Sequence, residues 1–503
     1  MSSAGVVPRL GLATKFSYGL GAVTQGVGSV ALSQATITFF LISVVGLRPG
    51  VVGTVISISL VIDAVLDPLI GRWSDTFRSP LGRRHPFMYA SALPIALAIA
   101  FLWRTPPGAN PAVLTVYALS MLIIVRLASG FYTIPSDALA PELAPDYHQR
   151  TGLIAWRWFF GLFGAVVLGF IQGFVYLRQD KSHPLGQYDP AAYANFGVMA
   201  AIVVFVSVIV SALATHRFIP VLNAPPVRRQ SVAQTFKEIG QVLTNRSLLA
   251  IMASGLVSGV AGGISSMLSS FMSYQFWGLT PQVTAVMGLL AVVGTLAGVF
   301  SAPLLSRLLD KKRTMIILFT LSVFTGVVPV TLRLLGVLPP NGSPLIPVIL
   351  TVDGVIAGAL GVAGFIIVGS MVADVVEDAA VKTGVRSEGL LFAANGLLPK
   401  ITTGLGSLVG GWMLEFVHFP AATLGVVQHV DPAIMRNLAL ISLPTGAVLN
   451  LIAIAVLGFY RINRSTHEAN LEALRTAAAV TEAPTSLATG GPHAPATASV
   501  PPI

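Results

Sequence analysis

Asp63 and Asp67 are two acids that lie four residues apart within an apolar stretch of the sequence. Residues at this spacing share one face of a helix, and counting ~1.5 Å per residue places them roughly 10–16 Å from the end of that stretch. Two like charges on one face repel each other unless a cation lies between them. The pair therefore predicts a site that binds and releases a proton or another cation.

Three basic residues, Arg126, Arg157 and Lys400, also lie deep inside apolar stretches. If these stretches cross a membrane, each charge is costly unless it is paired or hydrated, so each is a functional candidate. We interpret the two acids and the three cations as one coupling centre near the middle of the membrane. The alternative is a set of static salt bridges between helices. This alternative is stronger for Arg126 and Arg157 than for the acid pair.

The elements that must position these residues are membrane-spanning helices. Of the 503 residues, 54% are hydrophobic and 10% are charged, whereas roughly a quarter are charged in a soluble domain. The apolar residues form blocks longer than the ~18 residues that cross a bilayer. We predict an all-α membrane protein with 12 transmembrane helices, at 16–45, 50–72, 86–104, 111–138, 151–177, 193–216, 247–275, 282–306, 314–335, 345–376, 388–418 and 433–460.

Motifs that are absent from the sequence argue against several classes of protein. Without cysteine, disulfides, thiolate metal sites and cysteine nucleophiles are excluded. The sequence also lacks a glycine-rich nucleotide phosphate loop, a His-Glu-x-x-His zinc helix and a Gly-x-Ser-x-Gly elbow. We therefore predict neither an enzyme nor a primary pump, and neither a metal nor a cofactor.

The basic residues predict the orientation of the chain in the membrane. Most of the 30 lysines and arginines fall on one side if both termini are cytoplasmic, which is the side that positive charge favours. This bias accounts for most of the net charge of +10, so no nucleic-acid partner is needed. We predict a multi-pass protein of the bacterial inner membrane, with both termini in the cytoplasm, surrounded by lipid and monomeric.

A repeated loop divides the chain into two halves. Pro68-Leu-Ile-Gly-Arg72-Trp-Ser-Asp75 follows the second predicted span, and Pro303-Leu-Leu-Ser-Arg307-Leu-Leu-Asp310 follows the eighth. A parallel repeat of this kind is typical of transporters built from two similar bundles. We predict two six-helix halves at 1–216 and 247–460, a linker at 217–246 and a disordered tail at 461–503. We assign the charged loop residues to a conformational switch, the alternative being ordinary positive-inside charge; they are Arg72, Asp75, Arg83, Arg84, Arg307 and Asp310.

Several motifs in chain order resemble the glycoside-pentoside-hexuronide:cation symporters. They are Lys15-Phe-Ser-Tyr-Gly-Leu-Gly21, Asp63-Ala-Val-Leu-Asp67-Pro-Leu-Ile-Gly71, Gly82-Arg-Arg-His-Pro86, Ser370-Met-Val-Ala-Asp374 and Gly384-Val-Arg386-Ser-Glu388-Gly389, followed by Lys400. The resemblance implies a major facilitator fold. It also implies that Asp63 and Asp67 are the coupling-cation acids, that Lys400 is the helix-eleven lysine near them and that Arg157 is the helix-five arginine.

Other positions depart from the best-known member of that family. In that member two acids hold the sugar hydroxyls, and this chain has Gly26 and Thr133 at the corresponding positions. Where that member has the aromatic residue that stacks on the sugar, this chain has Asp137. A polar amide between the two cation acids falls at Leu66, which removes a sodium ligand and favours a proton. Gln25, Thr133, Arg126 and Arg157 remain as candidates for substrate binding or charge balance.

We therefore expect a symporter that moves a sugar or glycoside together with a proton, or less readily with sodium, by alternating access. The alternative cargo is an amphipathic or anionic solute, such as a lipid or a steroid, and it gains weight if Arg126 faces the cavity. A sensor or scaffold that transports nothing is a further class, which a folded C-terminal domain would favour.

Overall fold

The computed structural model describes residues 10–179, 185–222, 246–383, 396–421 and 430–460. Within these ranges the chain is helical, with short π and 3-10 turns and no strand. The helices are α1 (Leu12–Leu20), α2 (Val23–Val30), α3 (Gln34–Phe39), α4 (Pro49–Thr76), α5 (His85–Leu102), α6 (Pro111–Leu143), α7 (Tyr147–Ile171), α8 (Pro190–His216), α9 (Arg246–Phe271), α10 (Pro281–Leu308), α11 (Lys311–Leu334), α12 (Leu345–Thr383), α13 (Leu398–Phe416) and α14 (Pro432–Leu457). The predicted tail, most of the predicted linker and the motif at 384–389 lie outside the described residues.

Proline and capping side chains determine where many of these helices begin. Proline is the first residue of α4, α6, α8, α10 and α14, a position where its missing N–H costs no hydrogen bond. The residue before the helix often accepts a backbone N–H through its side chain, as Asn110, Asp189 and Asp431 do. All five of these starts lie on the predicted outer side, so the outer ends of the helices are well specified by local sequence.

The first predicted span is not one continuous helix, contrary to the prediction of a single block at 16–45. It consists of α1, α2 and α3, and the axis bends by 41° between 12–30 and 34–44. Ser33 is extended, and its side chain accepts the N–H of Thr36 at 3.2 Å, which starts a new helix. The backbone of α7 lies so close that a Cβ on Gly26 would stand 2.6 Å from the Ala165 nitrogen. The small residue thus allows the broken span to pack against α7.

Ten of the described helices are long and apolar enough to cross a membrane, and the broken first span raises this number to eleven. The predicted span at 388–418 corresponds to α13, which has 19 residues and is not among them. Its lysine and four glycines lower its hydropathy, and the residues just before 396 lie outside the described ranges. The multi-pass α-helical architecture is confirmed, whereas the count of twelve spans stays a prediction.

The two predicted halves meet through α4 against α13 and through α3 against α9. The backbones approach closely because glycines line the contact: a Cβ on Gly411 would lie 2.6 Å from the Pro49 carbonyl oxygen. Gln34 donates to the Gly263 carbonyl oxygen at 3.0 Å and to Ser407 Oγ at 2.7 Å, and Glu415 accepts the Gly50 N–H at 2.9 Å. These contacts close the protein at its predicted outer side.

The segment between α7 and α8 adds to this closure. Its Tyr188 hydroxyl accepts a hydrogen bond from Gln275, which follows α9 in the opposite half. Burial raises the pKa of Tyr188 to about 12, so the phenol stays protonated at every physiological pH. Tyr188 also packs against Phe39 at a centroid distance of 5.4 Å. The hydrogen bond between Gln275 and Tyr188 thus adds a neutral contact between the two predicted halves.

Candidate functional site

Lys400 joins the two acids of α4. Its ammonium nitrogen lies 2.7 Å from Asp63 Oδ2 and 2.5 Å from Asp67 Oδ2. Asp63 is 7% exposed, so its charge would be costly without this partner. Because α4 belongs to the predicted N-terminal half and α13 to the predicted C-terminal half, the ion pair connects the two halves in the central part of α4. The structure thus brings together the three residues predicted to form the coupling site.

Arg126 is the fourth charged member of this site. Its Nε donates to Ser59 Oγ at 3.1 Å, and its Nη1 lies 3.9 Å from Asp63 Oδ2. Asp63, Asp67, Lys400 and Arg126 are called the charge quartet below. With two acids and two bases, the quartet carries no net charge when all four members are ionised.

A cavity of about 230 Å³ adjoins the charge quartet, and all four of its members line the wall. The remaining polar wall comes from the N-terminal half and consists of Thr24, Gln25, Ser129 and Thr133. Thr133 donates to the Ser129 carbonyl oxygen at 2.9 Å, and its oxygen lone pairs remain able to accept from a solute. Gln25, Thr133 and Arg126 therefore lie where the sequence analysis expected a solute to bind.

Arg157 does not join the charge quartet, so the predicted centre of two acids and three cations is wrong in this respect. Its guanidinium pairs with Asp137 of α6, donates to Ser136 Oγ at 2.8 Å and lies 5.1 Å from the centre of the Tyr18 ring. The described wall of the cavity includes neither Arg157 nor Asp137. The α7 face that carries Arg157 is turned toward α1 and α6, which is the physical reason for the separation.

Asp137 is a site residue that the sequence analysis did not recognise as a partner. It stands inside α6 with its side chain 56% exposed, while the Arg157 side chain is 9% exposed. The sequence does contain a signal for this pair, because Asp137 is an acid within the predicted fourth span and Arg157 is a deep arginine in the next span.

Three of the four predicted switch residues of the first half take part in a compact ion cluster. Arg83 lies 2.5 Å from Glu142 Oε1, Arg84 also pairs with Glu142, and Asp75 lies 3.3 Å from Arg84. Glu142, near the end of α6, was not predicted. Arg72 lies on an exposed face of α4. The cluster ties the loop between α4 and α5 to α6, all within one half.

The second half has a corresponding ion pair that involves other residues than those predicted. Lys311 lies 2.7 and 2.8 Å from the two carboxylate oxygens of Asp374. Asp310 directly precedes α11, and Arg307 is exposed in the last turn of α10. The repeated sequence thus occupies equivalent places after α4 and α10, but the acid that pairs there comes from α12.

Comparison with known proteins identifies the family. Residues 17–464 match the family model described as MFS/sugar transport protein. The putative glycoside/cation symporter YagG of Escherichia coli is 24% identical over 96% of this chain and 100% of its own length. The putative 2,3-dihydroxypropane-1-sulfonate exporter of Escherichia coli is 25% identical over 91% and 94% of the two chains.

Solved structures agree on the fold. The crystal structure of the nucleoside transporter NupG has a TM-score of 0.61 and 14% sequence identity, and it covers 88% of this chain and 98% of its own. At this identity the likeness concerns the architecture alone. Together with the family match, the helical membrane architecture and the site between the two halves, it establishes that the chain belongs to the MFS/sugar transport protein family, as a multi-pass membrane transporter of the major facilitator fold and not an enzyme.

Proposed function

We propose that this chain carries a sugar or glycoside across the bacterial inner membrane by alternating access, coupled to the symport of a proton. The observation that carries the proposal is Lys400 held between Asp63 and Asp67, since this contact joins the two halves through groups that a proton can neutralise. The putative glycoside/cation symporter and the isoprimeverose transporter among the relatives support the cargo class.

Protonation would act through the strength of this link. Lys400 is attracted by two carboxylates while both are ionised, and a proton on Asp67 removes one of the two charges from its surroundings. The remaining attraction is weaker, so α4 and α13 separate more easily. A cation bound at this point therefore changes the free energy of the contact between the halves, which is what coupling requires.

A proton suits this site better than sodium for two reasons. The position between the acids is filled by an ammonium group, and Leu66 contributes no oxygen to the helix turn between them. Sodium needs several oxygen ligands at once, whereas a proton needs one carboxylate. Ser59 and Thr133 are the hydroxyls that could add oxygen ligands, but Ser59 already accepts from Arg126.

The cavity favours a small solute that bears hydroxyl groups. Its volume of about 230 Å³ is below the ~300–1,000 Å³ of pockets that enclose drug-sized ligands. Hydroxyl and amide groups at Thr24, Gln25, Ser129 and Thr133 suit the hydroxyls of a sugar. The wall also includes aliphatic side chains from α5 and α6, so it is the small volume that argues against the lipid-like or steroid-like cargo left open by the sequence.

A small anionic solute is the second candidate, because Arg126 does line the cavity. Once a proton has neutralised one acid, the charge quartet has an excess of one positive charge beside the solute. The relative described as a putative sulfonate exporter gives this candidate independent support.

Uptake into proteoliposomes tests the coupling ion. With the interior alkaline and sodium equal on both sides, we expect solute to accumulate; with a sodium or lithium gradient at constant pH, we expect none. Strict dependence on sodium would overturn the proton assignment.

The cargo is identified by competition in the same vesicles, with neutral glycosides set against carboxylated and sulfonated sugars of equal size. Arg126→Gln should raise the KM of an anionic solute at least tenfold while leaving that of a neutral glycoside within about threefold. An unchanged KM for both classes would remove Arg126 from the binding site.

A further inference from the structure

A second cavity lies on the outside of the N-terminal half. It has a volume of about 460 Å³ and runs between α4 and α5 over the surface of α6, with a wall of aromatic and aliphatic side chains that includes Trp73, Phe77, Phe87, Pro94, Ile124 and Phe131. The first three of these rings and Phe131 contact one another edge to face or stacked, at centroid distances of 5.2–5.9 Å. This feature is called the aromatic groove.

The aromatic groove faces the lipid and not the transport pathway. The face of α4 that contacts the other half includes Gly53, and Trp73 follows it by twenty residues, which is about 200° around a helix with 3.6 residues per turn. Trp73 is 54% exposed and Ile124 is 41% exposed. Along α5 the groove extends from Pro86 to Pro94, roughly 12 Å, which is most of the ~15 Å of one lipid monolayer.

A polar pocket of about 240 Å³ adjoins the inner end of the aromatic groove, and Phe77 belongs to the walls of both. Three arginines and two acids line this pocket. Arg83 and Arg84 are paired with Glu142, and Asp75 lies beside Arg84. Arg78 is exposed and takes part in none of the ion pairs found among the described residues. One positive charge at the end of an acyl-length groove thus lacks a partner.

We propose that the aromatic groove and Arg78 form a binding site for a phospholipid with an anionic headgroup. The acyl chain lies between α4 and α5, and the guanidinium of Arg78 binds the phosphate and the headgroup. Charge complementarity favours this occupant, since basic groups at the cytoplasmic boundary of membrane helices attract anionic lipids. The groove alone would accept any acyl chain, so the arginine provides the headgroup preference.

Quenching by brominated acyl chains tests the site on the full-length protein in liposomes. Trp73 is one of six tryptophans, so its emission is obtained as the difference between the wild type and Trp73→Phe. We expect dibromo-phosphatidylglycerol to half-quench Trp73 at a mole fraction at least threefold lower than dibromo-phosphatidylcholine does. Arg78→Gln should abolish this ratio, and Arg78→Lys should retain most of it.

Arg104→Gln is the matched control, because Arg104 is exposed at the opposite end of α5 on the predicted outer side. It should leave the ratio unchanged. Equal quenching by the two lipids, or a preference that persists in Arg78→Gln, would overturn the proposal and leave an ordinary lipid-facing surface. Ala90→Leu, which fills the groove, should reduce quenching by both lipids and so reports on the groove independently of Arg78.

Discussion

At the scale of single residues, the two acids of the charge quartet differ in their surroundings. Asp63 contacts Lys400 and lies near Arg126, whereas Asp67 contacts Lys400 and has the more exposed side chain, 18% against 10%. Loss of charge from Asp67 therefore leaves the other acid well compensated. In the proposed cycle Asp67 is the acid that takes up the proton.

We expect Asp67→Asn to abolish accumulation of solute against its gradient, because an amide can neither bind nor release the coupling ion. Exchange of labelled for unlabelled solute should survive, since it needs binding and reorientation but no net movement of the ion. Both rates are measured in proteoliposomes.

Asp431→Asn is the matched control for this change. Asp431 caps α14, asparagine caps helices as well as aspartate, and transport should stay normal. Active accumulation by Asp67→Asn would refute its role in coupling.

We expect Asp137→Asn to destabilise the protein strongly. Arg157, 9% exposed, would keep a buried charge without its carboxylate, and leaving a buried charge unpaired costs about 3 kcal/mol. Thermal unfolding in detergent measures the effect.

Asp75→Asn makes the same chemical change beside a different buried arginine. Arg84 keeps a second carboxylate partner in Glu142, so the loss should stay below about 1 kcal/mol. Equal destabilisation by the two variants would contradict this account of Arg157.

The sequence shows which charges are costly inside a membrane but not which of them meet. Lys400 and the acid pair could be predicted to act together through the family resemblance, and the structure places them in contact. Arg157 was predicted to join them because it lies equally deep in a span, but it pairs with Asp137 instead. Depth along a helix follows from counting residues, whereas the direction of a side chain depends on helix rotation, which tertiary packing decides.

At the scale of elements, the predicted outer closure depends on the absence of side chains at a few glycines. Long apolar blocks predicted most of the helices, and the structure shows that several of them begin with proline at the predicted outer side. The break at Ser33 was missed because an apolar block looks continuous whether or not one of its serines restarts the helix.

We expect Gly411→Val to hold the predicted outer side open. Its Cβ would stand 2.6 Å from the Pro49 carbonyl oxygen, so α4 and α13 could not meet. Thr133→Cys in the cysteine-free chain should then react with a membrane-impermeant thiol reagent added from outside. With Gly411 intact it should react at least tenfold more slowly.

Gly446→Val is the control, since nothing lies within 4 Å of a Cβ at that position. It should leave the reaction slow. Equal labelling rates with valine at either glycine would show that the contact of α4 with α13 does not close the pathway.

At the scale of the whole molecule, the distribution of basic residues predicts which loops face the cytoplasm. We expect Thr76→Cys to be protected from an impermeant thiol reagent in intact cells and Val337→Cys to be labelled. Both residues are exposed at the ends of helices, and they fall on opposite predicted sides. Labelling of Thr76→Cys alone would invert the predicted orientation.

The neutrality of the charge quartet has an electrical consequence. Moving one elementary charge through 100 mV of membrane potential involves about 2.3 kcal/mol, but a site with no net charge performs no such work. The empty carrier would therefore return at a rate that voltage does not change. If a proton is carried with a neutral sugar, the reorientation of the loaded carrier moves one charge and depends on voltage. If a proton is carried with a monovalent anion, the whole cycle is electroneutral. Transport current thus distinguishes the two classes of cargo before the cargo itself is known.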